Sequence, residues 1–174
     1  LSSSGHVRKS EKSFNSEIGI PLTILGIPNA WSNPFLWIKN VMDGLSLIVN
    51  RHSYPEWLVL EVGSDRPGDI RKVAKWLSPE LNIITAFPKI PVHVEFFSSP
   101  DKVNEEDSIL AGVLKQEGFL ILNHDDEAVL SMKDKINRKA TTYGFNDGAD
   151  LLGSHPLVLY EGEEGHERPV GLTF

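Results

Sequence analysis

Four short segments along the chain have the pattern of strands, and the first three of them are apolar runs. They are WLVLEV (57–62), LNIIT (81–85), FLILN (119–123) and ATTYGF (140–145). Runs of this length without polar alternation are typical of strands buried on both faces of a parallel sheet. The final segment, HPLVLYEGEEGHERPVGLTF, has the pattern of two strands joined by an acidic turn.

Helical patterns lie between these runs. Residues 69–77 place apolar side chains at the i, i+3, i+4 and i+7 positions of an amphipathic helix: Ile70, Val73, Ala74 and Leu77. Two further helices are predicted over residues 98–118 and 125–136. Another is predicted over residues 33–49, where Asn33 is a suitable N-cap.

The order of these elements predicts the fold class. Alternation of strand and helix indicates parallel pairing through right-handed crossovers. We therefore expect an α/β fold, with an open, mostly parallel sheet flanked by helices and a β-rich C-terminal end. A length of 174 residues fits one domain, so residues 1–174 are predicted to form a single domain.

The composition of the chain argues against several classes of function. The formal net charge is −7 and no basic block occurs, which argues against a nucleic-acid face because phosphate neutralisation needs clustered Lys and Arg. The absence of cysteine excludes disulfides and thiolate catalysis and weakly favours the cytoplasm. No apolar run approaches the ~18 residues of a membrane span. The chain starts without methionine and ends in GLTF, so we expect it to be a segment of a longer protein.

Polar residues follow the buried strands at their carboxyl ends, where ligands bind in open parallel sheets. Glu61 ends the first strand, His93 lies in the loop after the second, and Asn123 ends the third, shortly before Asp125. Each residue has a structural alternative. Glu61 needs a partner or a metal unless it caps loop amides, and His93 alone is more often a packed or solvent-facing loop histidine. An Asn or Asp of the segment Asn123–Asp126 can cap the next helix.

The segment GHVRKS, residues 5–10, has a superficial likeness to a phosphate loop. The Walker pattern needs a glycine directly before the lysine, and Arg8 stands there. A helix should open at Lys9 and Ser10 so that its N-terminus faces the phosphates, but no helical pattern follows. The segment VRKS is therefore predicted to be a strand.

Taken in order, several segments resemble the central ATP-binding domain of the Mur ligases, and most of all the UDP-N-acetylmuramoyl-tripeptide–D-alanyl-D-alanine ligase type. They are FNSEIGIPLTIL (14–25), LEVGSDRPGDI (60–70), TAFPKIPVHVEFFSSPDKV (85–103), LILNHDDE (120–127) and TYGF (142–145). The resemblance implies a P-loop NTPase-like fold and ATP-dependent amide-bond formation in peptidoglycan precursor synthesis, through an acyl phosphate, with ATP and Mg²⁺ as cofactors. It also implies a UDP-linked muramoyl peptide and an amino acid or dipeptide as partners, bound through domains outside this chain.

The same resemblance implies roles for individual residues. Glu61 and His93 match family Mg²⁺-binding positions. Asn123, and less directly Asp125, match the segment near the nucleotide, and Asn15 matches a segment that contacts substrate or phosphate.

Two departures from the family pattern bear on function. Asp107 stands where the family has a lysine that is carbamylated to hold a second metal, and aspartate keeps the negative charge but loses most of the reach. The family's phosphate loop should precede the residues seen here, so the isolated chain is expected to be inactive or nearly so. The alternatives are a non-catalytic relative that binds a nucleotide or partner, and a different Mg²⁺-dependent enzyme that uses Glu61, His93 and Asp125.

Overall fold

The computed structural model describes residues 5–11, 14–49, 54–136, 138–154, 156–162 and 168–173. The chain divides into two compact units. The first unit comprises residues 1–77 and 90–109, and the second unit comprises residues 78–89 and 110–174. The single domain expected over residues 1–174 stays a prediction.

A two-stranded parallel sheet lies in the first unit. Strand β1 (Val7–Lys9) pairs with β2 (Trp57–Val59), with Arg8 opposite Leu58. The segment VRKS is thus confirmed as a strand. β2 is shorter than the predicted run over 57–62 because its partner β1 offers only three residues for pairing.

Four helices are described in the first unit, before and after β2 in the chain. They are α1 (Gly19–Leu25), α2 (Pro34–Val49), α3 (Asp69–Val73) and α4 (Pro100–Asp107). Asn33 caps α2 as predicted, since its Oδ1 accepts hydrogen bonds from the backbone N–H groups of Phe35 and Leu36 at 3.0 and 3.2 Å. α3 buries Ile70 and Val73 and is shorter than the predicted helix over 69–77.

The helix predicted over residues 98–118 is interrupted. α4 ends at Asp107 and a separate short helix, α5, spans Ile109–Gly112. The Ser108 hydroxyl donates to the Asn104 carbonyl at 2.5 Å, and such local side-chain bonding competes with a continuous helix.

The second unit contains a four-stranded, entirely parallel sheet. Its order is β3 (Leu81–Ile84), β4 (Phe119–Asn123), β5 (Ala140–Gly144) and β6 (Leu151–Leu152). The first three strands confirm that LNIIT, FLILN and ATTYGF form strands. The predicted burial on both faces is wrong for β3 and β4, because alternate residues point away from the core and Leu81, Ile83 and Phe119 are exposed. β6 was not predicted, because two residues carry no recognisable period.

Helices and a hydrophobic core cover one side of this sheet. α6 (Glu127–Leu130) and α7 (Met132–Lys135) replace the single helix predicted over 125–136. The core cluster comprises Ile84, Phe87, Ala111, Leu114, Leu120, Leu122, Val129, Met132 and Ala140.

Two antiparallel strands form the C-terminal end. β7 (Leu157–Glu161) pairs with β8 (Arg168–Thr173), which confirms the predicted pair of strands; most of the acidic turn between them lies outside the described residues. Parallel sheets with flanking helices and a β-rich end confirm the predicted fold class. Among the helices that the structure describes, none is long and apolar enough to cross a membrane.

Candidate functional site

The loop of residues 60–68 follows β2 and contacts three other parts of the first unit. The Gly63 N–H donates to the Asn15 carbonyl at 3.3 Å. The Ser64 hydroxyl donates to Oδ1 of Asp107 at 2.7 Å. These contacts place Asn15 and Asp107 beside consecutive residues of one loop.

The next residue of this loop, Asp65, contacts the candidate histidine. Oδ1 of Asp65 lies 3.4 Å from Nε2 of His93. The imidazole is 41% exposed and stacks on Phe96, with ring centroids 6.3 Å apart and an interplanar angle of 28°. The ring therefore lies near Phe96 on one side, and its Nε2 edge is within ion-pair distance of Asp65.

His93 also has an unusual backbone conformation. Its φ is 65°, in the left-handed region, at the N-terminus of a short 3₁₀ helix (Val94–Phe96). A residue with a Cβ pays a steric cost in this region, and such strain is found at functional sites more often than elsewhere. The backbone is therefore strained at His93, as it is at Trp31, whose φ is 47°.

Glu61 stands at the start of the loop with an exposed side chain. Its backbone N–H donates to the Ser10 hydroxyl at 3.0 Å. None of the described residues donates a hydrogen bond to its carboxylate. The alternative that Glu61 caps the amides of the GSDRPG segment is not what is observed, since the Arg66 N–H donates to Asp69 at 2.8 Å instead.

Asp107 is half-buried at the end of α4. Burial raises the pKa of its carboxyl group above the ordinary value, and hydrogen bonds from Ser64 partly oppose this effect. The neighbouring Glu106 is buried and faces elsewhere, accepting a hydrogen bond from the Arg71 N–H at 3.1 Å. Asp107 is thus already engaged by Ser64.

In the second unit, Asn123 and Asp125 bind the backbone of two neighbouring loops. Nδ2 of Asn123 donates to the Thr85 carbonyl at 2.7 Å. The carboxylate of Asp125 accepts from the N–H groups of Phe145 and Asn146 at 2.7 and 3.0 Å. These two amides hold the pKa of Asp125 below its usual value. Both candidates therefore organise the loops that follow β3 and β5.

The capping alternative for the segment Asn123–Asp126 is confirmed at Asp126. Asp126, not Asn123 or Asp125, caps α6, accepting from the N–H groups of Ala128 and Val129 at 3.0 Å each. Its second oxygen accepts from the Phe87 N–H at 2.9 Å. A pair of aspartates directly before the helical pattern EAVL was a signal that one of them is a cap.

His124, between these residues, leaves one ring nitrogen unsatisfied. Its Nδ1 is buried and has no hydrogen-bond partner within the part of the chain that the structure describes. The distance from this Nδ1 to Oδ1 of Asp125 is 3.9 Å, which is too long for a hydrogen bond.

The predicted residues thus form two groups, each within one unit. Asn15, Glu61, His93 and Asp107 lie around the 60–68 loop in the first unit, and Asn123 and Asp125 lie together in the second. Across the described residues, no three or more His, Cys, Asp or Glu side chains are grouped closely enough to hold a metal ion by themselves. The fold is of the α/β class, and polar groups lie beyond the carboxyl ends of β2 and β4, where ligands bind in open parallel sheets.

The family follows from the sequence comparison. The family model of the Mur ligase middle domain matches residues 40–166. The chain belongs to this family, as the ordered motifs predicted.

Individual relatives are consistent with this assignment. The UDP-N-acetylmuramoyl-tripeptide--D-alanyl-D-alanine ligase of Mycobacterium leprae (strain TN) is 26% identical over 130 residues, which cover 75% of this chain and 20% of that protein. The UDP-N-acetylmuramate--L-alanine ligase of Borreliella burgdorferi is 36% identical over 72 residues, 40% of this chain and 15% of that protein. The chain therefore spans about a fifth or less of the length of these relatives.

Solved structures share the fold. MurF from Acinetobacter baumannii has a TM-score of 0.64 at 17% identity, over 91% of this chain and 29% of its own. MurF ligase from Thermotoga maritima in complex with ADP has a TM-score of 0.60 at 21% identity, over 96% of this chain and 32% of its own.

Proposed function

We propose that this chain is the central ATP-binding segment of an ATP-dependent ligase that forms amide bonds in peptidoglycan precursors. The observation that carries the proposal is the match of the Mur ligase middle domain to residues 40–166. The relatives named above are ligases of UDP-N-acetylmuramate derivatives, and one structural neighbour was solved with ADP. The proposal includes a cytoplasmic location, because a chain without cysteine needs no oxidising compartment for disulfide formation.

The proposed reaction has two chemical steps. The γ-phosphate of ATP passes to a carboxylate of the UDP-linked muramoyl peptide, giving an acyl phosphate and ADP. The amine of an amino acid or dipeptide then attacks the acyl carbon, and phosphate leaves. The two peptide substrates would be bound mainly by parts of the polypeptide outside this chain.

A magnesium site fits the first unit. Mg²⁺ in proteins is usually held by one or two carboxylates together with waters and substrate phosphates. Glu61 offers such a carboxylate, exposed and without a hydrogen-bond donor among the described residues. His93 would lie at the margin of the site and act with water, since imidazole is not a preferred Mg²⁺ ligand. When bound, the ion would neutralise phosphate charge.

Other residues of the first unit position this site. Ser64 ties the 60–68 loop to Asp107, and Asp65 lies within ion-pair distance of His93. The backbone contact between Gly63 and Asn15 holds the FNSEIGIPL segment beside the loop, where Asn15 would reach substrate or phosphate. Together these contacts would keep Glu61 and His93 in place before the nucleotide arrives.

In the second unit, Asn123 and Asp125 would position loops that lie near the nucleotide. Their side chains hold the loops at 85–87 and 145–146 through backbone groups. We assign them the role of positioning residues, because both oxygens of Asp125 already accept hydrogen bonds from backbone amides.

Asp107 favours a second candidate function, a non-catalytic relative that binds a nucleotide or a partner. The family's carbamylated lysine would reach a second metal, whereas Asp107 is short and is already hydrogen-bonded by Ser64. Reading the coding sequence upstream of Leu1 separates the two candidates. A G-x-x-G-K-T loop within about one helix and one strand supports the ligase, and its absence from a complete reading frame supports the non-catalytic relative.

The site itself can be tested on the full-length protein by titration with Mg²⁺ and ATP. Glu61→Gln is expected to weaken binding at least tenfold, because it removes the proposed carboxylate ligand. Glu56→Gln is the matched control, since Glu56 is an exposed glutamate just before the other end of β2. Equal affinities for the two variants would overturn the assignment of Glu61.

A further inference from the structure

Helix α2 presents an unbroken apolar arc to solvent. At 100° per residue, eight apolar residues fall within one arc of roughly 140°. They are Pro34, Phe35, Ile38, Val41, Met42, Leu45, Ile48 and Val49. Every one is exposed, and the seven large side chains range from 53% exposure at Leu45 to 89% at Val49.

The orientation of α2 is the reverse of that of an ordinary surface helix. The residue that it buries is Asn40, whose Nδ2 donates to the Pro28 carbonyl at 2.7 Å. An amphipathic helix normally turns its apolar stripe inward. Helices of this length gain most of their stability from packing that stripe, and large exposed apolar patches mark interaction sites.

The spacing within the arc is that of a helix-pairing seam. Ile38, Val41, Leu45 and Ile48 follow one another at intervals of three, four and three residues. This is the a/d pattern by which two helices interlock as knobs into holes. A second copy of α2 supplies a seam of the same length and spacing.

The charges on α2 are compatible with pairing between identical chains. Lys39 and Asp43 are the charged residues of this helix, and they form an ion pair with each other at 2.5 Å, outside the arc. Two copies would therefore bring no like charges together at the seam. A membrane surface fits less well, because α2 lacks the basic polar face of interfacial helices and the chain carries a net charge of −7.

The area of the arc is also suitable. Aliphatic side chains contribute on the order of 100 Å² of apolar surface each, and an aromatic ring contributes about 150–250 Å². The arc therefore offers roughly 600–800 Å², close to the ~800 Å² that each partner brings to a standard protein interface.

We propose that α2 is a self-association surface, through which two copies of this chain pair by their Ile38–Val41–Leu45–Ile48 seams. This inference is independent of the ligase function. It concerns a helix that contributes none of the candidate site residues.

Sedimentation velocity and light scattering on the chain test the proposal. The expected mass at tens of micromolar is twice the 19.4 kDa of one chain. Leu45→Lys should raise the dissociation constant at least 100-fold and give a monomer. Ser46→Lys, at the adjacent exposed position outside the arc, should remain dimeric, and circular dichroism checks that both variants are folded.

Disulfide trapping reports on the seam directly, because the chain has no cysteine of its own. Under mild oxidation Val41→Cys should form a covalent dimer much faster than Ser46→Cys. A monomeric wild-type chain at 100 µM, or a dimer that survives Leu45→Lys, would overturn the proposal. So would a monomer that floats with phosphatidylcholine vesicles, which would make the arc a lipid-binding face.

Discussion

The two units hold their candidate residues by different means. In the second unit Asn123 and Asp125 follow β4, whose pairing with β3 and β5 fixes their place, over a packed hydrophobic core. In the first unit β2 pairs over three residues only. There the candidate site residues are brought together by side-chain contacts of the 60–68 loop with Asp107 and His93.

The difference indicates where each group is vulnerable. Residues placed by strand register are displaced chiefly by steric change in the neighbouring strands. Residues placed by a loop depend on each hydrogen bond and on the conformation of single residues, because little regular structure supports them. Four predictions test this contrast.

The largest effect is expected for Gly144→Ala at the end of β5. A Cβ there would lie 2.5 Å from Oδ1 of Asp125, so the carboxylate must leave the amides of Phe145 and Asn146. We expect a loss of about 2–3 kcal/mol in the free energy of unfolding, measured in urea.

Gly112→Ala is the control for this substitution, since a Cβ at Gly112 meets no atom within 4 Å. We expect no destabilisation, and a gain of up to about 1 kcal/mol from helix propensity. Equal losses in both variants would show that crowding of Asp125 is not the cause.

The next effect is that of Ser64→Ala in the first unit. It removes the hydroxyl that donates to Asp107 and leaves a half-buried carboxylate with one donor fewer. The expected cost is about 1–2 kcal/mol, or a fall in Tm of roughly 2–8 °C. Ser46→Ala on the exposed side of α2 should change Tm by less than about 2 °C; a similar fall there would contradict the explanation.

A smaller effect is expected from the backbone of His93. Because its φ is 65°, glycine should be more stable than alanine at this position by about 1 kcal/mol. The comparison of His93→Gly with His93→Ala isolates the backbone, since both variants lose the imidazole. At Val92, which lacks a positive φ, the order of the two variants should reverse; the same order at both positions would exclude backbone strain.

The smallest effects are opposite pH dependences in the two units. Hydrogen bonds from Thr142 hold the pKa of Asp150 below the ordinary 3.8. Its contribution to stability is therefore present above pH 3.8 and is lost as the pH falls through the lowered pKa. Burial raises the pKa of Asp107 above 3.8, so its contribution is present at acid pH and is lost as the pH rises through the raised pKa.

Thermal melts of two asparagine variants between pH 2.5 and 8 measure this difference. Asp150→Asn should lower Tm at pH 7, and the difference from the unchanged protein should shrink as the pH falls, because the lowered pKa of Asp150 is then approached. Asp107→Asn should raise Tm at pH 7 and lose that advantage at pH 2.5. Parallel responses of the two variants would contradict the assigned pKa directions.

The sequence predicted a helix or a strand wherever the hydrophobic pattern extended over enough residues. The strands β3, β4 and β5 and the helix α2 with its Asn33 cap follow directly from pattern. The breaks in two predicted helices did not, because they occur at Ser108 and Ser131, whose hydroxyls donate to carbonyls of the preceding turn. A serine within a helical pattern does not reveal beforehand whether its hydroxyl will compete with the backbone.

The sequence predicted which residues belong to the candidate site but not which of them contact one another. Polar residues after apolar runs pointed correctly to Asn123 as the end of β4, whereas Glu61 lies two residues beyond the end of β2. The pairing of Ser64 with Asp107 joins positions 43 residues apart, and no local pattern specifies such a contact. The outward orientation of the apolar face of α2 was equally hidden, because periodicity identifies a face but not what covers it.

The adjacent aspartates at 125 and 126 have a consequence for exchanging sequence between relatives. Each uses both carboxylate oxygens as acceptors of backbone N–H groups, from residues 145 and 146 in one case and from α6 and Phe87 in the other. Asparagine, nearly identical in size, would turn an amide NH₂ towards an N–H in either position. A chimaera that imports another relative's version of Asn123–Asp126 must therefore import the loops at 85–87 and 145–146 with it, because the three segments form one inseparable module.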